Sequence, residues 1–308
     1  MGTLKRVGVL LGFATLSYFA LAPAVSATFP GRNGLIVFQA QTDAGVQVFT
    51  MRPNGHEIRQ ITHLDGDVGG LDWSPNGRRI TFTLNECTIG MMDADGANVS
   101  FLAAPPADGV PGVDFCEGDS SFTPDGEHIV FEHYNAVLDV DAVWSMGIDG
   151  TGRRLVTTAG GPDPNVSPDG TRVSFKGEGG ALYSTTLDGS DLRRISPVEE
   201  VAFKHDWAPD GSHLVFTDVA DPDPGVSNNI ATVRPDGTGL RYLTHLSGGD
   251  RAYVGGYSPN GHWIIFRLER NGQYAIYRMN TDGGALHQIL PFSSFRPRGL
   301  DWGTAVRP

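Results

Sequence analysis

Residues 72–83 read DWSPNGRRITFT, and the tetrapeptide at the centre, SPNG, decides the fold. Proline presets φ for the first central position of a tight turn. Asn or Asp tolerates the second and bonds back to the local backbone, and Gly supplies the positive φ that ends it. An apolar alternation ending in Phe82 follows, so the turn joins two antiparallel strands as a hairpin. The unit recurs as TPDG at 123–126, SPDG at 167–170, APDG at 208–211 and SPNG at 258–261. The intervals are 49, 44, 41 and 50 residues, and each copy leads into a strand ending in Phe131, Phe175, Phe216 or Phe266. A sixth such strand, Leu35–Phe38, follows PGRNG at 30–34.

A second turn series runs in phase with the first: RPNG at 52–55, DADG at 93–96, GIDG at 147–150, TLDG at 186–189, RPDG at 234–237 and NTDG at 280–283. Two phased series make four strands per repeat, a to d, with the first turn joining a to b and the second joining c to d. A four-stranded unit of 40–50 residues, repeated several times, is the signature of a β-propeller. Six copies predict an all-β, six-bladed propeller of four-stranded antiparallel blades over residues 28–308. The residue before each first turn is Trp73, Phe122, Val166, Trp207, Tyr257 or Trp302. These are expected to wedge between blades as core, with ligand stacking as the alternative.

The stretch GLDW at 299–302 copies 70–73, while the first repeat begins at strand b. An open ring would expose two sheet edges. The C-terminal stretch is therefore expected to supply strand a of the N-terminal blade and close the ring.

The repeats DWSPNGRRITFT, SFTPDGEHIVFE, VSPDGTRVSFKG, DWAPDGSHLVFTD and YSPNGHWIIFRLE resemble the WD40-like propeller repeats of the TolB-type family. The resemblance covers nearly all of the chain after residue 27 and implies the propeller fold. It also implies a periplasmic protein that works through protein contacts at the cell envelope. TolB itself carries an α/β domain before its propeller; no such domain is expected here, because the first propeller strand starts a few residues after the leader.

That leader, residues 1–27, has a basic start (Lys5, Arg6), an apolar run from Val7 to Ala22, and Val25-Ser26-Ala27 as a cleavage site. This is the layout of a secretory signal peptide, and a secreted or periplasmic location follows. The alternative is an uncleaved anchor, but 16 apolar residues fall short of the roughly 20 needed to span a bilayer. No integral membrane segment is expected after cleavage. The formal charge is −12, becoming −14 when Lys5 and Arg6 leave with the leader. Such a chain is a poor partner for nucleic acid, and a monomer is expected. Export places Cys87 and Cys116 in an oxidising compartment. They fall in a b–c connection and the next d–a connection, on one face of adjacent blades, so a disulfide between them is predicted.

No G-x-S-x-G, H-E-x-x-H, Walker loop or C-x-x-C occurs. With nine histidines, a scattered Ser–His–Asp constellation stays open. Function is instead expected on the face shared by the d–a and b–c connections, where loops vary over a fixed scaffold. One residue before each aromatic stands Asp72, Ser121, Asn165, Asp206, Gly256 or Asp301. Converging at the channel, the polar ones could bind a ligand or a hard cation such as Ca²⁺; the alternative is strand-end hydrogen bonding built into the repeat. The matching loops ITHLDGD (61–67) and LTHLSGGD (243–250) place His63 and His245 on equivalent connections. The loop 217–229 holds Asp218, Asp221 and Asp223, weaker candidates for a metal. The expectation is an exported, non-catalytic scaffold that binds protein partners of the envelope or a ligand. The alternative is a metal-assisted lyase or hydrolase with its site at the channel mouth on the loop face.

Overall fold

Each SPDG-type turn takes the shape its residues dictate. Gly77, Gly126, Gly170, Gly211 and Gly261 have φ between 67° and 71°. Their amides donate to the carbonyl three residues back at 2.7–2.9 Å. The Asn or Asp before each glycine accepts the amide two residues onward at 2.9–3.1 Å. The hairpins that follow are the building units of a computed structural model that describes residues 29–102, 112–219 and 226–306. The leader, Asp221 and Asp223 lie outside the described residues.

Six four-stranded antiparallel sheets follow one another along the chain. Their inner strands are Arg298–Thr304, Val68–Trp73, Phe115–Phe122, Asn165–Val166, Val201–Trp207 and Arg251–Tyr257, for blades 1 to 6. The fold is the expected six-bladed propeller. In blade 1 the C-terminal strand pairs with Asn33–Thr42, setting Trp302 opposite Ile36 and Asp301 opposite Val37. Gly45–Met51 and Arg59–Gln60 complete that sheet. Ends of the chain thus share one blade, and each sheet edge facing the channel is an inner strand of a complete blade.

A single blade cannot cover its own faces, so the core lies in the seams. Six apolar clusters occupy six seams, and each contains one residue of the repeated aromatic register. Trp73 packs with Val37 of blade 1 and Phe82 of its own blade; Trp302 packs with Ile265 of blade 6. The wedge reading holds at both. Gly303 leaves room for this: a Cβ there would sit 2.5 Å from the Trp73 indole. Burying the large register side chain is worth about 2–3 kcal/mol in the five seams where it is aromatic, and less where it is Val166. Among the described residues no helix is long and apolar enough to cross a membrane.

Cys87 and Cys116 form the predicted disulfide, with Cα atoms 4.1 Å apart, well inside the roughly 7 Å beyond which no bridge can form. Cys116 lies in the inner strand of blade 3, and not in the connection before it, because that strand starts early, at Phe115.

Candidate functional site

Asp72, Ser121, Asn165, Asp206 and Asp301 come from five different blades and line one cavity of about 20 Å³. That is room for about one water molecule. Asp72, Ser121, Asn165 and Asp206 each precede an a–b turn, and Asp301 holds the same register in the closing strand, so they gather at the turn end of the channel. The mouth on the loop face is lined by other residues. Phe29, Trp73 and Trp302 complete the wall. The Phe29 carbonyl accepts a hydrogen bond from Thr304 Oγ1 at 3.1 Å, which lays the N-terminal segment across this end.

The carboxylates here clip blade to blade. Asp72 Oδ2 accepts the Phe122 amide at 2.9 Å, Asp301 Oδ2 the Trp73 amide at 3.0 Å, and Asp206 Oδ2 the Tyr257 amide at 2.6 Å. Asn165 Nδ2 donates to the His205 carbonyl at 3.4 Å. Every contact runs from one blade to the backbone of the next. Where the acid is ionised, such a bond is charge-assisted and roughly twice as strong as a neutral one such as that of Asn165. This is the strand-end bonding that the repeat itself encodes. Burial, with the charge of Asp301 added, pushes Asp72 well above the usual carboxylate range.

A second ring lies two residues earlier. Gly70, Asp119, Asp163, Lys204 and Gly299 all have φ between 44° and 69°; at all of them but Asp163, which precedes its strand, the inner strand bulges and its ladder register shifts. A bulge re-aims a side chain. Lys204 Nζ, from blade 5, donates to the Leu71 carbonyl of the opposite blade 2 at 3.4 Å and lies 3.8 Å from Asp301 Oδ1. Burial alone would lower its pKa, but Asp301, Asp163, Asp72 and Asp206 together hold it above the ordinary lysine value. The ammonium thus spans the channel and supplies positive charge among the aspartates that the sequence offered as candidate ligands for a cation. Among the described residues no three His, Cys, Asp or Glu are placed to hold a metal ion. Lys204 lies two residues before Asp206, outside the register next to the aromatics; its only signal in the sequence is a lysine in FKHDW where the other inner strands carry glycine, aspartate or valine.

Toward the loop face the acids accumulate. Burial and the charges of Asp163 and Glu86, offset in part by Lys204, push Asp119 up to about 7. Burial and the charges of Asp119, Asp141 and Asp163 push Glu132 up to about 8. Burial raises Asp141 as well. Groups that titrate near neutral pH and sit together are a recognised mark of functional sites.

A Ser–His–Asp arrangement is also present. Ser174 Oγ lies 2.7 Å from His205 Nε2, and His205 Nδ1 lies 3.2 Å from Asp163 Oδ2. The serine is nevertheless fully buried, and its Oγ accepts the Trp207 indole N–H at 2.8 Å. No substrate carbonyl can reach it, so the three residues act as a clamp across the seam of blades 4 and 5. Burial would raise Asp163, yet the hydrogen bond and charge of His205 and the charge of Lys204 hold it below the usual range.

The remaining sequence candidates within the described residues, His63, His245 and Asp218, do not join the channel site. His63 is exposed and meets Gln60 Nε2 at 3.2 Å; His245 is exposed too. The resemblance of their loops belongs to the preceding threonines. Thr62 Oγ1 accepts the Val48 amide, and Thr244 Oγ1 accepts the Ile230 amide, the same bond in blades 1 and 5. Asp218 accepts a short hydrogen bond from the Tyr242 hydroxyl. Burial and this partner push Tyr242 up to about 12.

The loop face also presents an apolar tip on blade 3. Val113, Val137 and Leu138 are 68%, 72% and 70% exposed. Asn135 Oδ1 accepts the amides of Val137 and Leu138 at 3.0 and 2.9 Å, and the Ala136 amide donates to the Asp114 carbonyl at 2.9 Å. The turn is therefore bonded into a fixed shape that holds both side chains in solvent.

Known proteins share this architecture. The chain is 26% identical over 173 residues to the protein Atu1656 of Agrobacterium fabrum, covering 55% of this chain and 56% of that one. The chain spans about half or less of the length of the curated relatives it matches. The solved TolB of Acinetobacter baumannii superposes with a TM-score of 0.70 at 16% identity, covering 88% of this chain and 67% of that one. An oligogalacturonate lyase in complex with manganese superposes with a TM-score of 0.59 at 15% identity, covering 85% and 79%. At such identities these structures share the fold alone. The family model described as the TolB beta propeller domain matches residues 111–303, most of the ring just described, and the chain belongs to that family.

Proposed function

We propose that the protein is an exported, non-catalytic scaffold that docks a protein partner of the cell envelope on the loop face at blade 3. The observation that carries this is the apolar tip. Val137 and Leu138 contribute nothing to a seam, yet hydrogen bonds fix them outward. Monomeric proteins seldom organise apolar side chains for exposure unless something covers them. Asp114, Asp139, Asp141 and Glu132 surround the tip in sequence and sheet, so the partner is expected to offer an apolar pocket ringed by basic groups. The leader and the TolB-type propeller support an envelope location.

The test is recovery of the tagged, exported protein from its native envelope fraction. The wild type should bring down a partner, and the Val137→Ser/Leu138→Ser double variant should lose it at an unchanged melting temperature. Equal recovery by both proteins would count against docking at blade 3.

The second reading, a lyase or hydrolase, rests on Asp119 and Glu132, which titrate near neutral pH as general acid–base groups do. The manganese-bound lyase of the same fold adds to it. Calorimetric titration with Mn²⁺, followed by ultraviolet detection of unsaturated product from polyuronates, separates the readings. Metal binding and product formation that both vanish in Glu132→Gln would establish the enzyme.

A further inference from the structure

Residues 251–306 hold six arginines against three carboxylates, in a chain with a formal charge of −12. Three of the six, Arg267, Arg296 and Arg298, gather at the loop-side end of the seam between blade 6 and the closing strand. Arg267 leaves strand b of blade 6 and is only 6% exposed. Its guanidinium carbon lies 4.4 Å from the centroid of Tyr253 and 5.7 Å from that of Tyr274. One Nη donates to the Pro297 carbonyl at 3.1 Å. Its one carboxylate neighbour, Glu269, stands 3.8 Å away, and its Nε is buried without a partner. Arg296 lies 5.1 Å from the Tyr274 centroid and also has a buried, unpartnered Nε. Among the described residues neither Arg296 nor Arg298 has a carboxylate within ion-pair distance. Burial and the charges of Arg296 and Arg298 push Arg267 down to about 10.

A guanidinium withdrawn from water, beside two like charges and a single carboxylate at 3.8 Å, sits in a surplus of positive charge. A bound oxyanion removes that deficit. The planar fork of arginine fits a carboxylate with two parallel hydrogen bonds, and the tyrosine rings beside it offer flat apolar faces.

We propose that this seam is a carboxylate-binding site, in which Arg267, Arg296 and Arg298 hold the anion and Tyr253 and Tyr274 pack against the ligand's carbon skeleton. The site lies across the ring from the blade 3 tip and does not depend on docking there. Peptide carboxylates and sugar acids present the same group, so the test carries an arm for each.

The experiment is calorimetric titration of the full chain at low ionic strength with N-acetylglutamate, glucuronate and inorganic phosphate. At least one carboxylate should bind, more tightly than phosphate; the tighter of the two identifies the source. Arg296→Gln and Arg298→Gln should each weaken binding about tenfold, the loss of one charge-assisted hydrogen bond. Both lie on the d–a connection or at the start of the closing strand, so their melting transitions should stay in place, whereas replacing buried Arg267 could disturb the seam. Val137→Ser/Leu138→Ser should bind the carboxylate as the wild type does. Absence of binding by both carboxylates, equal binding of phosphate, or binding unchanged in both glutamine variants would overturn the proposal.

Discussion

Blades 3 and 6 stand opposite each other and have the same central hairpin, two eight-residue strands: His128–Asn135 with Val140–Gly147, and Trp263–Arg270 with Gln273–Asn280. Their tips differ. Blade 6 turns in two residues, Asn271 and Gly272, at φ 50° and 71°, the polar turn best matched to strand twist. Blade 3 takes four residues and exposes Val137 and Leu138. Their charges differ as well. Residues 112–159 hold nine carboxylates and two arginines, against three carboxylates and six arginines in 251–306. The scaffold is held constant by seam packing, and the face it presents is free to become acidic and apolar on one side and cationic and aromatic on the other. A repeat fold teaches function through such departures, because whatever the six copies share is accounted for by the ring.

The largest expected effect concerns what both blades share. Blade 6 borders the closing strand, which carries Trp302 into its seam and the Asp301 clip onto the Trp73 amide. Deleting residues 299–308 removes both and opens two edges, so the cooperative melting transition of the whole ring should disappear. A melt that survives would show that blades 3 and 6 are stable without closure.

A smaller effect separates the two. Blade 3 is tied to its neighbour by the Cys87–Cys116 bridge, which closes a loop of 29 residues. Replacing both with serine should cost about 2–4 kcal/mol, read as a lower denaturant midpoint. Hydrogen exchange should rise first in blades 2 and 3, with blade 6 unaffected.

The pH response should separate them further. Glu132 is raised from 4.5 to about 8, so the folded state keeps a proton that the unfolded chain has released. The stability is fully present below about pH 4.5 and is lost as pH rises toward about 8. Arg267, held near 10, contributes no slope in that window. Melting temperature should therefore fall from pH 5 to pH 8, and Glu132→Gln should flatten the fall. An unchanged slope in the variant would place the titrating group elsewhere.

The fold was legible because each turn needs particular residues: proline, then Asn or Asp, then glycine, at a spacing only a repeated blade explains. The closing strand and the disulfide were legible for the same reason, since both follow from where connections fall in a ring. Convergence of Asp72, Asp206 and Asp301 was legible from their register. Their partner was not. Lys204 enters the channel through a bulge that breaks the two-residue alternation, and no periodicity announces a bulge. The Arg267 cluster was hidden differently, because Arg267, Arg296 and Arg298 come from two strands and a connection that meet only after the ring closes.

Photo-cross-linking reads the functional contrast most directly. A photoreactive side chain at position 138 of the exported protein, illuminated in its native envelope, should yield one discrete protein adduct. The same probe at position 271, on the matching tip of blade 6, should yield none. Adducts of equal yield from both positions, or none from position 138, would contradict docking at the blade 3 tip.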